Sequence, residues 1–122
     1  MILGTGIDIV RVQRLSRWKT VPGLCERWFH PAELAYARTR GAGEAQSLAA
    51  RFAAKEAFGK ALGTRPAGFA LTEVEVLSAE GRPELRLFGR AREALRHLGG
   101  ERVFLSLAHE ADTAVAMVVI EG

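Results

Sequence analysis

The sequence predicts an α+β domain in which a mostly antiparallel sheet packs against one long helix and several short helices. Residues 43–62 contain no proline and consist largely of residues with high helix propensity, which predicts the long helix. In the second half, polarity alternates every two residues on both sides of two turn sequences, which predicts two hairpins. The length of 122 residues is typical of one domain, so we expect a single domain over 1–122.

The first part of the chain predicts a strand followed by three short segments. Residues 2–10 are apolar and β-branched, which is typical of a partly or wholly buried strand. From Arg11 to about Lys19 the pattern indicates a short helix with Leu15 on its inner side. Val21-Pro22-Gly23 opens a second short segment, and Pro31 is well placed as the first residue of a further helix.

The long helix and the hairpins follow in order. Leu48 and Phe52 mark the core side of the helix, and Gly63 is placed to cap its end before a loop over Thr64–Gly68. The remaining predicted elements are a hairpin of strands 71–77 and 84–88 about the turn 80–83, a helix over 91–98, and a hairpin of strands 103–109 and 113–120 about 110–112.

The charge distribution suggests a negatively charged partner. The net charge is +3, yet Arg11 to Arg51 holds eight Lys or Arg against three Glu. Such a basic segment fits phosphates, nucleic acid or an acidic protein. A basic nucleic-acid-binding module is therefore the alternative function, although we find no known nucleic-acid motif and few aromatics suited to base stacking.

The sequence contains few features that indicate a cellular compartment. Cys25 is the only cysteine, so it forms no internal disulfide, and we expect it to be a half-buried small apolar residue. The start lacks the features of a signal peptide. No apolar run approaches the roughly 18–20 residues that span a bilayer. We expect a cytoplasmic protein that does not bind membranes.

Asp8 does not fit its apolar surroundings. It interrupts a predicted strand, where Asp is disfavoured, and burying an ionised carboxylate is costly unless it is paired or binds a metal. Gly4 and Gly6 weaken the same strand, which makes sense if a ligand or a backbone comes close there. Asp8 is therefore either a functional carboxylate or, near Arg11, the cap of the following helix, and the spacing leaves both interpretations open.

Glu56 and Lys60 are four residues apart and share one face of the long helix. The simplest interpretation is an exposed ion pair contributing about 0.3–0.5 kcal/mol. Gly59 costs a helix about 1 kcal/mol relative to Ala, which suggests that something bulky approaches there. His109, at a strand end, is either a satisfied structural residue or a donor to a phosphate.

Two carboxylates, several cations and several glycines together suggest a magnesium–phosphate site. Mg²⁺ prefers one or two carboxylates, water and phosphate oxygens over a full protein cage. The sequence has no CxxC, HExxH or P-loop motif that would indicate zinc or a Walker-type nucleotide site.

These motifs, in this order, resemble those of the holo-[acyl-carrier-protein] synthases, a bacterial family of small 4′-phosphopantetheinyl transferases. The similarity extends from Met1 to about Ile120 and implies the 4′-phosphopantetheinyl transferase fold. The matching motifs are Gly4-x-Gly6-Ile-Asp8-Ile, the signature helix Arg51-Phe-Ala-Ala-Lys55-Glu56-Ala-Phe-Gly-Lys60-Ala-Leu-Gly63, Gly81-x-Pro83 and Ser106-x-x-His109.

The resemblance implies a reaction in which the 4′-phosphopantetheine group moves from coenzyme A to a serine of apo acyl carrier protein, in fatty acid biosynthesis. It implies three catalytic residues, Asp8, Glu56 and Lys60. Asp8 and Glu56 would hold Mg²⁺ against the pyrophosphate of coenzyme A, and Lys60 would reach that pyrophosphate. Glu56, directly or through a metal-bound water, is our hypothesis for the general base.

The resemblance also implies the binding surfaces and the assembly. Coenzyme A would contact Arg51, Lys60, Gly63, Pro83 and His109. The acidic carrier protein would dock on Arg14, with Arg11 and Arg17 as neighbours. The family is typically homotrimeric with its sites at subunit interfaces, which agrees with the difficulty of building a deep cleft in a chain of this size.

Overall fold

A computed structural model describes residues 1–63, 68–79 and 81–122, and this part of the chain confirms the α+β prediction. Its strands are β1 (Ile2–Arg11), β2 (Val74–Ala79), β3 (Arg82–Leu87), β4 (Arg102–Glu110) and β5 (Thr113–Glu121). Its α-helices are α1 (Val12–Trp18), α2 (Leu24–Trp28), α3 (Pro31–Arg38), α4 (Glu44–Ala61) and α5 (Gly89–Leu98). Single 3₁₀ turns span Gly41–Gly43 and Leu71–Glu73.

The strands form two antiparallel sheets, where the sequence predicted one. The first has the order β1-β5-β4, and the second is the β2-β3 hairpin. In the first sheet Asp8 pairs with Ala116 of β5, and Ala116 pairs with Leu107 of β4. The N-terminal strand thus joins the C-terminal hairpin as its edge strand, and Asp8 lies in the middle of an extended, hydrogen-bonded segment.

The long helix α4 packs closely on β1 and β5 because the facing residues are small. A Cβ atom added at Gly4 would overlap the carbonyl oxygen of Ala61, and one at Gly6 would overlap that of Ala57. The two glycines therefore allow a backbone to approach, which is one of the two explanations that the sequence left open. This close packing brings the last turns of α4 against β1, within reach of Asp8 for the Lys60 side chain.

We expect Gly6→Ala to destabilise the protein by at least about 2 kcal/mol, because the added methyl group has to push α4 away from β1. Urea unfolding followed by circular dichroism would measure the loss. Gly43→Ala is the matched control, since its Cβ would meet only the Arg40 Cβ, at an ordinary 3.7 Å, and we expect a change below about 1 kcal/mol. Equal losses of stability in the two variants would contradict the explanation that Gly6 is needed for the close approach of α4 to β1.

The boundaries of the second sheet differ from the prediction. Leu71–Glu73 is a 3₁₀ turn and not part of a strand, because the Glu73 carboxylate accepts hydrogen bonds from the Ala70 and Arg90 backbone amides, at 2.7 and 2.8 Å. Arg82 and Pro83 lie in β3 and not in the turn. Of the predicted loop Thr64–Gly68, residues 64–67 lie outside the described residues, as does Glu80 of the predicted turn.

A buried ion pair attaches the second sheet to α4. Lys55 Nζ lies 2.6 Å from Glu33 Oε1 of α3, and both side chains are 0% exposed. Lys55 also donates hydrogen bonds to the carbonyls of Leu71, at 2.9 Å, and of Val74. Glu33 Oε2 accepts one from the Val76 amide at 2.9 Å. Burial lowers the pKa of Lys55, and the Glu33 charge acts against this shift.

The predicted core positions are confirmed. Leu15, Leu48 and Phe52 are all buried. Cys25, expected to be half-buried, is fully buried, and burial raises the pKa of its thiol, which makes it a poor nucleophile. None of the described helices combines the length and the apolar character needed to cross a bilayer.

Candidate functional site

Asp8 lies on the face of β1 that is covered by α4, and it pairs with Lys60. The Lys60 Nζ atom is 3.0 Å from Asp8 Oδ1, and it also donates a hydrogen bond to the Ile7 carbonyl at 3.0 Å. Helix α1 begins after Arg11 without any side-chain cap, and the Val12 amide donates to the Asp112 carbonyl. The interpretation of Asp8 as a helix cap is therefore wrong.

Glu56 faces the same place from one turn earlier on α4. Its carboxyl is half-buried, and its pKa is raised, first by burial and then by the negative charge of Asp8. The positive charges of Arg14 and Lys60 act in the opposite direction. Because Lys60 reaches across to β1, the interpretation of Glu56 and Lys60 as a simple exposed pair on the helix surface is wrong.

The donor set formed by Asp8 and Glu56 suits a hard divalent cation. Two carboxylates from different elements repel each other, and a cation between them would relieve that repulsion. Within 1–63, 68–79 and 81–122, no group of three or more His, Cys, Asp or Glu side chains is placed to hold a metal. Two carboxylates, completed by water and substrate oxygens, are what Mg²⁺ typically uses, whereas a zinc site would need more protein ligands.

Arg14 lies at the edge of this cluster. Its guanidinium carbon is 5.0 Å from the Trp18 ring centre and 5.2 Å from that of Phe52. Phe52 is one helical turn before Glu56, so the cation lies close to the two carboxylates. Arg14 also lines a shallow groove on the outside of α1, with Ile9, Arg11, Gln13 and Arg17. The three arginines predicted to dock the carrier protein thus share one surface.

Arg51 lies apart from this cluster. Five residues before Glu56, it is rotated by about 140° around α4. The side chain is 5% exposed, and its guanidinium donates hydrogen bonds to Ser47 Oγ at 2.7 Å and to Ser78 Oγ at 3.3 Å. It also lies over the Tyr36 ring at 4.6 Å, and burial lowers its pKa. The Arg51 Nε atom is buried without a hydrogen-bond partner among the described residues.

His109 is exposed at the end of β4. Its Nδ1 atom lies 2.8 Å from the Gln46 amide nitrogen, which can only donate. Nδ1 therefore accepts, and the neutral ring carries its proton on Nε2, where it can donate to a ligand. The register places His109 opposite Ala114 and hence two strands from β1, about 10 Å from the line of Asp8.

The other two residues predicted to contact coenzyme A lie elsewhere. Pro83 is on β3, in the second sheet, and borders a groove between β3 and β4. Gly63 follows the end of α4 with a left-handed backbone, at φ +78°. The structure thus brings Asp8, Glu56, Lys60 and Arg14 together, while the predicted coenzyme A contacts are spread over several surfaces of the chain.

Sequence reasoning missed several residues around the site. Trp18 was not singled out, although its spacing of four residues from Arg14 was a readable signal. Neither Gln46 nor the Glu33 partner of Lys55 could be found, because each contact joins elements that are distant in sequence.

On the outer face of the first sheet, large apolar side chains are exposed: Ile7 (61%), Ile9 (66%), Phe104 (50%) and Met117 (46%).

Comparisons with known proteins agree with these observations. The family model for the 4′-phosphopantetheinyl transferase superfamily matches residues 4–117. A holo-[acyl-carrier-protein] synthase from Treponema denticola is 54% identical over 123 residues, which cover 100% of both proteins. The structure of a holo-[acyl-carrier-protein] synthase from Neisseria meningitidis has a TM-score of 0.89 and 37% identity, again covering 100% of both chains.

A further solved structure contains a ligand. It is a holo-(acyl-carrier-protein) synthase from Bacillus anthracis in complex with CoA (3′,5′-ADP), with a TM-score of 0.78 and 33% identity. The match covers 98% of this chain and 96% of that one. Sequence and structure agree over the whole length, so this chain belongs to the 4′-phosphopantetheinyl transferase superfamily.

Proposed function

We propose that this protein transfers the 4′-phosphopantetheine group of coenzyme A to a serine of apo acyl carrier protein, in fatty acid biosynthesis. The products are holo acyl carrier protein and adenosine 3′,5′-bisphosphate. The observation that carries this proposal is the convergence of Asp8, Glu56 and Lys60 on one point of the sheet, in a chain of this superfamily. The related Bacillus anthracis structure in complex with CoA supports the same substrate.

Asp8 and Glu56 are the residues that would hold Mg²⁺, and Lys60 would bind the pyrophosphate. When bound, Mg²⁺ neutralises negative charge on the phosphate oxygens, which lowers the barrier to attack by a nucleophile. Lys60 adds a second positive charge on the same side, since its Nζ lies within 3.0 Å of Asp8. Because Asp8 faces α4 from a rigid strand, the geometry of this charge cluster is set by the fold.

In the proposed reaction, the serine oxygen attacks the β-phosphorus of coenzyme A. The bond between this phosphorus and the bridging oxygen breaks, and the bridging oxygen leaves with the adenylate as adenosine 3′,5′-bisphosphate. Glu56 accepts the serine proton, directly or through water, because it is a carboxylate that faces the charge cluster beside Asp8. If Glu56→Gln kept near wild-type turnover at saturating Mg²⁺, this assignment would be wrong.

Coenzyme A would contact Arg51, Lys60, Gly63, Pro83 and His109. His109 offers its Nε2–H to a phosphate, because Nδ1 accepts from Gln46. These residues lie on different surfaces of one chain, so we propose that two subunits together complete each site. The exposed apolar face of the first sheet, with Ile7, Ile9, Phe104 and Met117, is suited to burial between the subunits of a homotrimer. Light scattering would give the number of subunits.

The groove of Arg11, Arg14 and Arg17 would dock the acidic carrier protein. One of its cations, Arg14, lies close enough to act on the Glu56 carboxyl, so a carrier bound there would present its serine close to the charge cluster. The cytoplasmic location stays a prediction. A nucleic-acid-binding module, the alternative function, is supported by the basic charge alone, and a salt-dependent gel shift with DNA and RNA would detect it.

Intact-mass spectrometry tests the proposed reaction. Apo acyl carrier protein incubated with this protein, coenzyme A and Mg²⁺ should gain the mass of one phosphopantetheine, and EDTA should prevent the gain. If several apo carriers gained no mass with a folded protein, the proposal would be rejected.

The raised pKa of Glu56 predicts a stability effect that does not depend on activity. The ionised carboxylate is disfavoured in the native protein, so it lowers stability at pH values above its native pKa. We expect Glu56→Gln to raise Tm in EDTA at pH 8. The gain should shrink as the pH falls through the native pKa and vanish near 4.5, the unperturbed value. A gain that stayed constant with pH would contradict this explanation.

A further inference from the structure

The guanidinium of Arg14 lies against two aromatic rings that contact each other. Trp18, one turn later on α1, lies 5.0 Å from it, and Phe52 of α4 lies 5.2 Å from it. The two rings contact each other edge to face, with centres 4.9 Å apart at 88°. The Trp18 ring also packs near the Trp28 ring, with ring centres 6.4 Å apart, and this contact limits the movement of Trp18. Together, Trp18 and Phe52 form an aromatic clamp that restricts the Arg14 side chain.

The clamp distinguishes Arg14 from the neighbouring cations in and around α1. Arg11, Arg14 and Arg17 are all exposed, but among the described groove residues Arg14 alone makes cation–π contacts. Lys19, next to Trp18, is paired instead with Glu44, at 2.7 Å. An arginine that stacks on a ring loses less conformational entropy when it binds a carboxylate, so a clamped Arg14 is better prepared for a partner than its neighbours.

The position of the clamp connects the docking groove with the charge cluster. Phe52 and Glu56 are one turn apart on α4, so an Arg14 guanidinium in contact with the Phe52 ring lies about one helical turn from the position of Glu56. A carboxylate bound by Arg14 is therefore fixed within a short distance of Asp8, Glu56 and Lys60. An unclamped arginine could bind the same carboxylate in many orientations, only some of which bring a serine to the cluster.

We propose that Trp18 is a positioning residue, which holds Arg14 in the orientation that receives an acidic side chain of the docked carrier protein. Phe52 completes the clamp from α4. This inference rests on the proposed function, since it assigns a role in binding the carrier protein. Trp18 does not contact the reacting atoms, so its loss affects binding of the carrier and leaves the chemical step and the binding of coenzyme A intact.

Steady-state kinetics with apo acyl carrier protein, followed by intact mass, tests the proposal. We expect Trp18→Leu to raise KM for the carrier about 3- to 10-fold, with changes below about 2-fold in kcat and in KM for coenzyme A. Trp18→Phe should retain most of the affinity, because a ring still lies against Arg14. Arg14→Lys should reproduce much of the loss, because an ammonium stacks less well than a planar guanidinium. Thermal unfolding would show that each variant is folded.

A double-mutant cycle separates positioning from a merely structural role. In the Arg14→Ala background, Trp18→Leu should raise KM for the carrier by less than about 2-fold, because no cation is left to position. Lys19→Ala is the matched control, and its KM for the carrier should stay unchanged. An equal effect of Trp18→Leu in both backgrounds, or none in either, would overturn the proposal. If the wild-type protein transferred no phosphopantetheine at all, the proposed function itself would be rejected, and the role of Trp18 in carrier binding would fall with it.

Discussion

Asp8→Ala is expected to lower kcat/KM for carrier modification by at least about 100-fold. The substitution removes one of the two carboxylates proposed to hold Mg²⁺ and leaves Lys60 without its partner at 3.0 Å. Both changes disturb the charges that would stabilise the transition state. Intact-mass measurement of the holo carrier at saturating Mg²⁺ and coenzyme A would give the rate.

A second readout separates loss of the metal from general damage. In the wild-type protein, Mg²⁺ should raise Tm, because a ligand that binds only the native state stabilises it. In Asp8→Ala this increase should disappear. Asp112→Ala is the matched control: Asp112 is the only other aspartate, and its contact with Val12 uses the backbone carbonyl. A normal rate and a normal Mg²⁺ response in Asp8→Ala would refute the assignment.

Lys55→Met is expected to destabilise the protein by about 3–5 kcal/mol, because it leaves the Glu33 carboxylate buried without its cation. Lys55 also donates to the carbonyls of Leu71 and Val74, so the attachment of the second sheet is weakened at the same time. A domain of this size has a stability of roughly 5–15 kcal/mol, so the loss would be a large fraction of the total. Urea unfolding would measure it.

Two further variants show whether the buried charge is the cause. Lys55→Met combined with Glu33→Gln should recover part of the loss, because no unpaired charge remains in the interior. Lys19→Ala breaks the more exposed pair with Glu44, whose side chains are 36% and 23% exposed, and should cost less than about 1 kcal/mol. Similar losses in Lys55→Met and Lys19→Ala would show that burial of the pair is unimportant.

Local sequence patterns predicted those elements that depend on neighbouring residues. The helix expected over 43–62 is observed as Glu44–Ala61, and the C-terminal hairpin turns at 111–112, inside the predicted 110–112, with Glu110 as the last residue of β4. Leu71–Glu73 was predicted as strand because its residues alternate in polarity. It forms a 3₁₀ turn, since Glu73 bonds to the Arg90 amide, a contact that no local pattern contains.

The sequence by itself determined the family and the fold class, and it singled out Asp8, Glu56 and Lys60 as candidate site residues. Each carries a local signal: a carboxylate inside an apolar strand, and two charges one turn apart within a recognisable helix motif. The tertiary structure decided that Lys60 pairs with Asp8, that Arg51 lies away from the cluster, and that Lys55 is buried against Glu33. Spacing along the chain states which residues share a face of one element. Contacts between elements depend on how those faces pack, and here that depends on two glycines that let α4 approach β1.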